Sequence, residues 1–166
     1  MVICNGKEIK ESLRFLNRVS ECEGYPVFEW SASGFEMRFF GDRLFLTFEK
    51  GQTEQPIYAV CEIDGVRRDF AVSESGGVFR ALDLGGGEHF LRFLRSSEPR
   101  LSDSDARLIL KEVRIDGENA EILEKPCGKS RKIAFFGDSI TCGYGVLDSG
   151  ESGVFKTCYQ DATKTY

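Results

Sequence analysis

The 166 residues include one histidine, one tryptophan, two methionines and four prolines, and no Cys-x-x-Cys pair. With His89 alone, a multi-histidine metal site is excluded. Any histidine-dependent catalysis within these residues must run through His89. No apolar run approaches the roughly 20 residues that span a bilayer, so no membrane partner is expected. Basic runs are missing too. The 22 Lys and Arg stand against 27 Asp and Glu, a net charge of −5, which argues against nucleic acid as the main partner. The start, Met1 to Glu8, has neither an apolar signal core nor a small-residue cleavage site, so the expected location is cytoplasmic. Cysteines at 4, 22, 61, 127, 142 and 158 lack the spacing of a zinc or redox framework. They read as reduced thiols, several of them buried. No cofactor is expected.

What is present is globular in composition, 41% hydrophobic and 30% charged. From about residue 20 to 123 the pattern has period two. In Phe35-Glu36-Met37-Arg38-Phe39 the odd positions are apolar and the even ones charged, the signature of a half-buried strand. Gly41-Asp42 reads as a tight hairpin turn into the strand Leu44 to Phe48. Asp64-Gly65 reads as a second hairpin, between Ile57–Ile63 and a strand from 66 to 71. Further strands are expected at 78–82, 89–94 and 106–115. Many short strands with close turn signals indicate an all-β sandwich, or jelly roll, over residues 1–125, its core filled from 14 phenylalanines. Lys7 to Val19 is the one helix candidate in this region. An edge strand and loop is the alternative for that stretch.

The composition then shifts. Residues 126–131 form a polar Pro- and Gly-containing linker, and 132–166 begin something different. Ile133 to Phe136 is continuously apolar, as in a strand buried on both faces of a parallel α/β sheet. Gly137-Asp138-Ser139 follows at once. Asp161 is placed to cap a helix start. A strand, a loop and a helix start do not complete a domain. Such a tail is expected to pack on the sandwich, to pair with another copy through 133–136, or to be poorly ordered.

A serine just beyond the carboxyl end of a parallel strand lies where α/β sheets put their active sites. Gly137 permits the tight turn, and the Ser139 N–H can face an oxyanion. Position 141 is threonine, so this is not the Gly-x-Ser-x-Gly elbow. The plain alternative is a turn at Gly137-Asp138 with Ser139 as a helix cap. The segment Phe136-Gly-Asp-Ser-Ile-Thr-Cys-Gly-Tyr-Gly145 resembles the first block of the SGNH, or GDSL-like, hydrolases. A sandwich, a Pro-containing linker and then this block resemble carbohydrate esterase family 2, in which a jelly roll precedes an SGNH domain that deacetylates plant polysaccharides and oligosaccharides. Gly34 to Phe39, Ile63-Asp64-Gly65, Gly87-Glu88-His89 and Asp161 to Tyr166 agree with that likeness.

The resemblance implies that Ser139 is the nucleophile and one oxyanion donor, and that Gly137 and Asp138 support the turn. It implies a late catalytic histidine in Asp-x-x-His, but here Gly86 stands three before His89. It also implies later Gly and Asn oxyanion blocks. Gly117-Glu118-Asn119 precedes Ser139 and ends a sandwich strand, so it does not serve. The expectation is therefore the N-terminal portion of an acetyl esterase acting on acetylated carbohydrate, inactive as these residues alone. About 150 to 200 further residues would complete it. A non-catalytic carbohydrate- or partner-binding sandwich is the alternative. His89 reads as a strand-edge histidine. Cys142, with no base beside it, reads as inert. Trp30, Tyr25 and Tyr58 read as core packing or scattered surface aromatics ahead of a sugar-stacking platform. Asp103 and Asp105 read as a solvated loop, since the Gly and distal Glu of a calcium loop are missing.

Overall fold

Alternating side chains become twelve strands in the computed structural model, which describes residues 1–73, 75–99, 105–131, 133, 136–150 and 156–165. In chain order they are β1 (Val2–Asn5), β2 (Arg14–Leu16), β3 (Ser20–Cys22), β4 (Tyr25–Phe28), β5 (Gly34–Phe40), β6 (Arg43–Lys50), β7 (Ile57–Ile63), β8 (Val66–Val72), β9 (Gly76–Ala81), β10 (Glu88–Arg95), β11 (Leu108–Asp116) and β12 (Glu121–Ile122). One sheet runs β3-β4-β11-β6-β9, with β1 added on β11. The other runs β12-β5-β10-β7-β8, with β2 added on β5. Every pairing among the described residues is antiparallel. The result is a two-sheet sandwich.

Inward residues of both sheets meet at Phe93. Its ring lies 4.8 Å from Phe48, 5.2 Å from Phe28 and 5.3 Å from Phe35, centroid to centroid. Phe48 and Phe28 come from one sheet and Phe35 and Phe93 from the other, so this cluster locks the two sheets together.

The Asp64-Gly65 hairpin forms as read. Both residues have positive φ, 52° and 78°, and Ile63 pairs Val66. Such turns match the twist of the flanking strands. Gly41-Asp42 differs from the expectation. β5 pairs with β10 and β6 with β11, so these two residues carry the chain from one sheet to the other. The Gly41 N–H donates to Gly87 O and the Asp42 N–H to Asp116 O, so each residue is held by a different neighbouring strand end. Lys7 to Val19 is not a helix. A 3-10 turn at Ile9–Ser12 buries Ile9 and is followed by β2, whose Arg14 pairs Glu36. Glu36 itself, read as solvent-facing, is 2% exposed, and it is held from both sides by Arg14 and by Arg92 at 2.9 Å. The outer face of this sheet is covered here, which the alternation alone does not reveal.

The C-terminal residues also differ. Ile133 and Phe136 are 79% and 96% exposed and in no strand. Positions 132, 134 and 135 lie outside the described residues. Continuous apolarity signals a doubly buried strand only where neighbours flank it, and none does among the described residues. Asp161 does cap a turn, the 3-10 segment Ala162–Lys164, accepting from the Thr163 N–H at 3.0 Å.

Candidate functional site

Ser139 is exposed at the start of a run of turns over 139–147. The Asp138 carboxylate accepts the Ile140 N–H at 3.0 Å and the Asp138 carbonyl accepts the Cys142 N–H at 3.2 Å. Asp138 is thereby spent on the turn. The Ser139 carbonyl accepts the Tyr144 N–H at 2.9 Å. A side chain at Gly137 would run into Thr141, so glycine is required where the chain folds over.

This loop sits on a second segment, 156–165. Leu147 N–H donates to Tyr159 O at 3.0 Å and Asp161 N–H to Gly143 O at 3.2 Å. The second segment is fastened to the sandwich just beyond β10. Ala162 N–H donates to Ser96 O at 3.0 Å, and the buried Gln160 side chain accepts the Glu98 N–H at 2.8 Å. Of the three outcomes expected for the tail, packing on the sandwich is the one described by these bonds.

Between the covered sheet face and residues 125–131 lies a cavity of about 840 Å³ lined by Arg14, Glu36, Arg67, Arg92, Lys129 and Arg131 among others. Ser139 does not line it.

His89 lies elsewhere. It is 7% exposed, turned inward at the start of β10, with Nδ1 2.6 Å from an Asp64 carboxylate oxygen and its ring 5.3 Å from Phe39. The segment beneath the Ser139 loop is anchored at Ser96 and Glu98, past the other end of the same strand. Seven residue steps at about 3.3 Å each put about 23 Å of strand between the ends.

Cys142 is partly buried beside Glu98. Burial and the adjacent carboxylate raise its thiol above the usual cysteine range, opposite to nucleophile activation. Trp30 is 51% exposed, with Arg18 over its ring. Tyr25 takes Lys111 and Lys7 on its ring. Tyr58 is partly buried on β7, its hydroxyl raised by burial and by nearby Cys158. Asp105 is paired with Arg107 at 2.6 Å, while Asp103 lies outside the described residues. Among the described residues, no group of three or more His, Cys, Asp or Glu could hold a metal ion. The residues that reading by sequence missed are Arg67, Glu98 and Gln160. Their polar types carry no local signal, and their partners are far away in the chain.

Comparison with known proteins places this fold. The cellulase/esterase CelE of Acetivibrio thermocellus is 30% identical over 122 residues, 72% of this chain and 14% of that protein. A solved acetyl xylan esterase from the rumen bacterium Butyrivibrio proteoclasticus matches with a TM-score of 0.84 at 18% identity, over 98% of this chain and 43% of its own. A family two carbohydrate esterase from Clostridium thermocellum, solved in complex with cellohexaose, matches with a TM-score of 0.79 at 22% identity, over 93% of this chain and 46% of its own. The chain thus spans less than half the length of each. The family model for the carbohydrate esterase 2 N-terminal domain covers residues 17–126, more than half of the chain, and the chain belongs to that family.

Proposed function

We propose that these residues are the N-terminal portion of an SGNH-type serine esterase that removes acetyl groups from acetylated polysaccharides or oligosaccharides. In this reading 1–125 is the sandwich, 126–131 the linker and 132–166 the opening of the hydrolase domain. The observation that carries it is Ser139, an exposed serine on a turn that Gly137 and Asp138 hold, in a chain whose sandwich belongs to an esterase family.

The chemistry follows from those roles. Ser139 Oγ attacks the acetyl carbonyl while a histidine outside these residues takes its proton. The Ser139 N–H stabilises the tetrahedral oxyanion, a contribution of about 3 kcal/mol per donor. The sugar oxygen leaves with the proton from the imidazolium. Water then releases acetate from the acetyl-serine by the same route.

The test is acetate release from acetylated xylan by the whole natural protein. Ser139→Ala should lower kcat by about 10³-fold or more, and residues 1–166 alone should show no Ser139-dependent turnover of 4-nitrophenyl acetate. Undiminished turnover by the Ser139→Ala whole protein overturns the reading. Ser139-dependent turnover by residues 1–166 would show that the base lies among them. Glycan binding by a whole protein that releases no acetate would favour a binding module instead.

A further inference from the structure

We infer that the sandwich positions the nucleophile: Arg67 on β8, acting through Asp161, is a positioning residue for the Ser139 loop. This rests on the reading of Ser139 above.

Arg67 Nη2 donates to Asp161 Oδ2 at 2.5 Å and Nη1 to Thr163 Oγ1 at 2.7 Å. The two ends of the ion pair are 94 residues apart. Asp161 is 1% exposed. Its other carboxylate oxygen accepts the Thr163 N–H at 3.0 Å and the Thr163 hydroxyl at 2.5 Å. A carboxylate taken this far out of water needs its cation and its donors together, so its place is set by where β8 puts the guanidinium.

From Asp161 the constraint runs through the main chain. Its N–H donates to the Gly143 carbonyl, and the Gly143 N–H donates to Ile140 O at 3.0 Å. Gly143 has φ +80°, and a side chain there would strike the Asp161 carbonyl. The two strands of chain therefore touch backbone to backbone. The next bond, Tyr144 N–H to Ser139 O, reaches the nucleophile itself.

Arg67 has little to do with the sandwich core. It lies on the outer strand of its sheet, its side chain is 33% exposed, and its remaining partner Asp69 is 76% exposed. The bonds it makes to Asp161 and Thr163 go to the segment beneath the serine. Removing them leaves the phenylalanine core and the Ser96 and Glu98 anchors in place and loosens the Asp161 end of the support. A shift of 1 Å at a reacting group costs about 100-fold in rate.

The experiment uses the whole natural protein with 4-nitrophenyl acetate and a fluorophosphonate serine probe. Arg67→Met keeps the stem and removes the charge. It should lower kcat by about 10- to 100-fold with KM within about two-fold, and slow probe labelling in proportion. Arg67→Lys should recover part of kcat. Asp161→Asn should match Arg67→Met, and the double variant should be no slower than either single one, because both break one link. Thr163→Val, which exchanges the hydroxyl for a methyl, serves should Arg67→Met not fold, and should also lower kcat with KM unchanged. Wild-type kcat in a folded Arg67→Met, loss through KM alone, or independent additive losses would overturn the inference. Turnover that survives Ser139→Ala takes down the nucleophile reading and this inference with it. An inactive Ser139→Ala beside a fully active Arg67→Met takes down the inference alone.

Discussion

His89 and Asp64 form a 2.6 Å pair that ties the first residues of β10 to the β7–β8 turn. Burial on its own raises the Asp64 carboxyl, but the Phe90 N–H and His89 outweigh it and hold the group below its usual range. His89 is thus engaged as a strut with its ring against Phe39. His89→Phe keeps the bulk and removes the imidazole from Asp64, which keeps only the Phe90 N–H of the two bonds. A loss of about 1–2 kcal/mol in urea unfolding is expected. On the proposed reading, kcat/KM for acetate release by the whole protein should stay within two-fold. A drop of 100-fold or more would return His89 to the reaction.

Arg95 is 1% exposed and points into the sandwich. It donates to Phe28 O at 3.1 Å, Ser97 O at 2.8 Å and Ala106 O. One planar head thereby satisfies carbonyls from the end of β4 and from both sides of the β10–β11 connection. Arg95→Met fills the space and leaves those acceptors unpaired, so unfolding free energy should fall by about 3–5 kcal/mol. Arg95→Lys should recover only part of this, because a point-like ammonium does not span the fork. Equal stability of Met and wild type in urea would show that packing alone holds this corner.

How far the fold was legible depended on where each partner lay. Asp64-Gly65 was readable because two positive φ angles demand such residues locally. Gly41-Asp42 was not, because two residues can equally join paired strands or cross between sheets, and the choice is made by Asp116 and Gly87 far along the chain. Glu36 looked solvent-facing by alternation, yet β2 and Arg92 close over it. The Gly-Asp-Ser turn was visible as a string because its bonds span two to five residues. Its support was not, because Arg67 and Asp161 meet only through the whole fold.

The thiols should label in an order set by exposure and charge. Cys127 and Cys158 are exposed. Cys142 is partly covered, and burial together with Glu98 raises its pKa. Burial likewise raises Cys4, reinforced by Glu8. Cys61 is fully buried in the core and pushed well above the ordinary range by burial. Thiolate is the reactive form. Iodoacetamide at pH 8, read by intact mass and peptide mapping, should modify Cys127 and Cys158 first, Cys142 and Cys4 more slowly, and Cys61 only on unfolding. Early modification of Cys142 would mean that the serine loop stands away from Glu98.

The Asp105–Arg107 pair predicts an acid-side loss of stability. Arg107 donates to both oxygens of Asp105 and, as the main cause, lowers its carboxyl from 3.8 to about 2. The folded state therefore binds this proton less readily than the unfolded state. The contribution is complete above pH 3.8 and disappears as pH falls through about 2. Arg107 is 38% exposed, so solvent screening reduces the pair to about 1 kcal/mol. At pH 7, Asp105→Asn should melt about 2–4 °C below wild type. That gap should be unchanged at pH 5 and narrow steadily between pH 4 and pH 2. Scanning calorimetry of both proteins across this range checks it, and a gap that stays constant down to pH 2 would place the effect in packing around Gly51 and not in the charge.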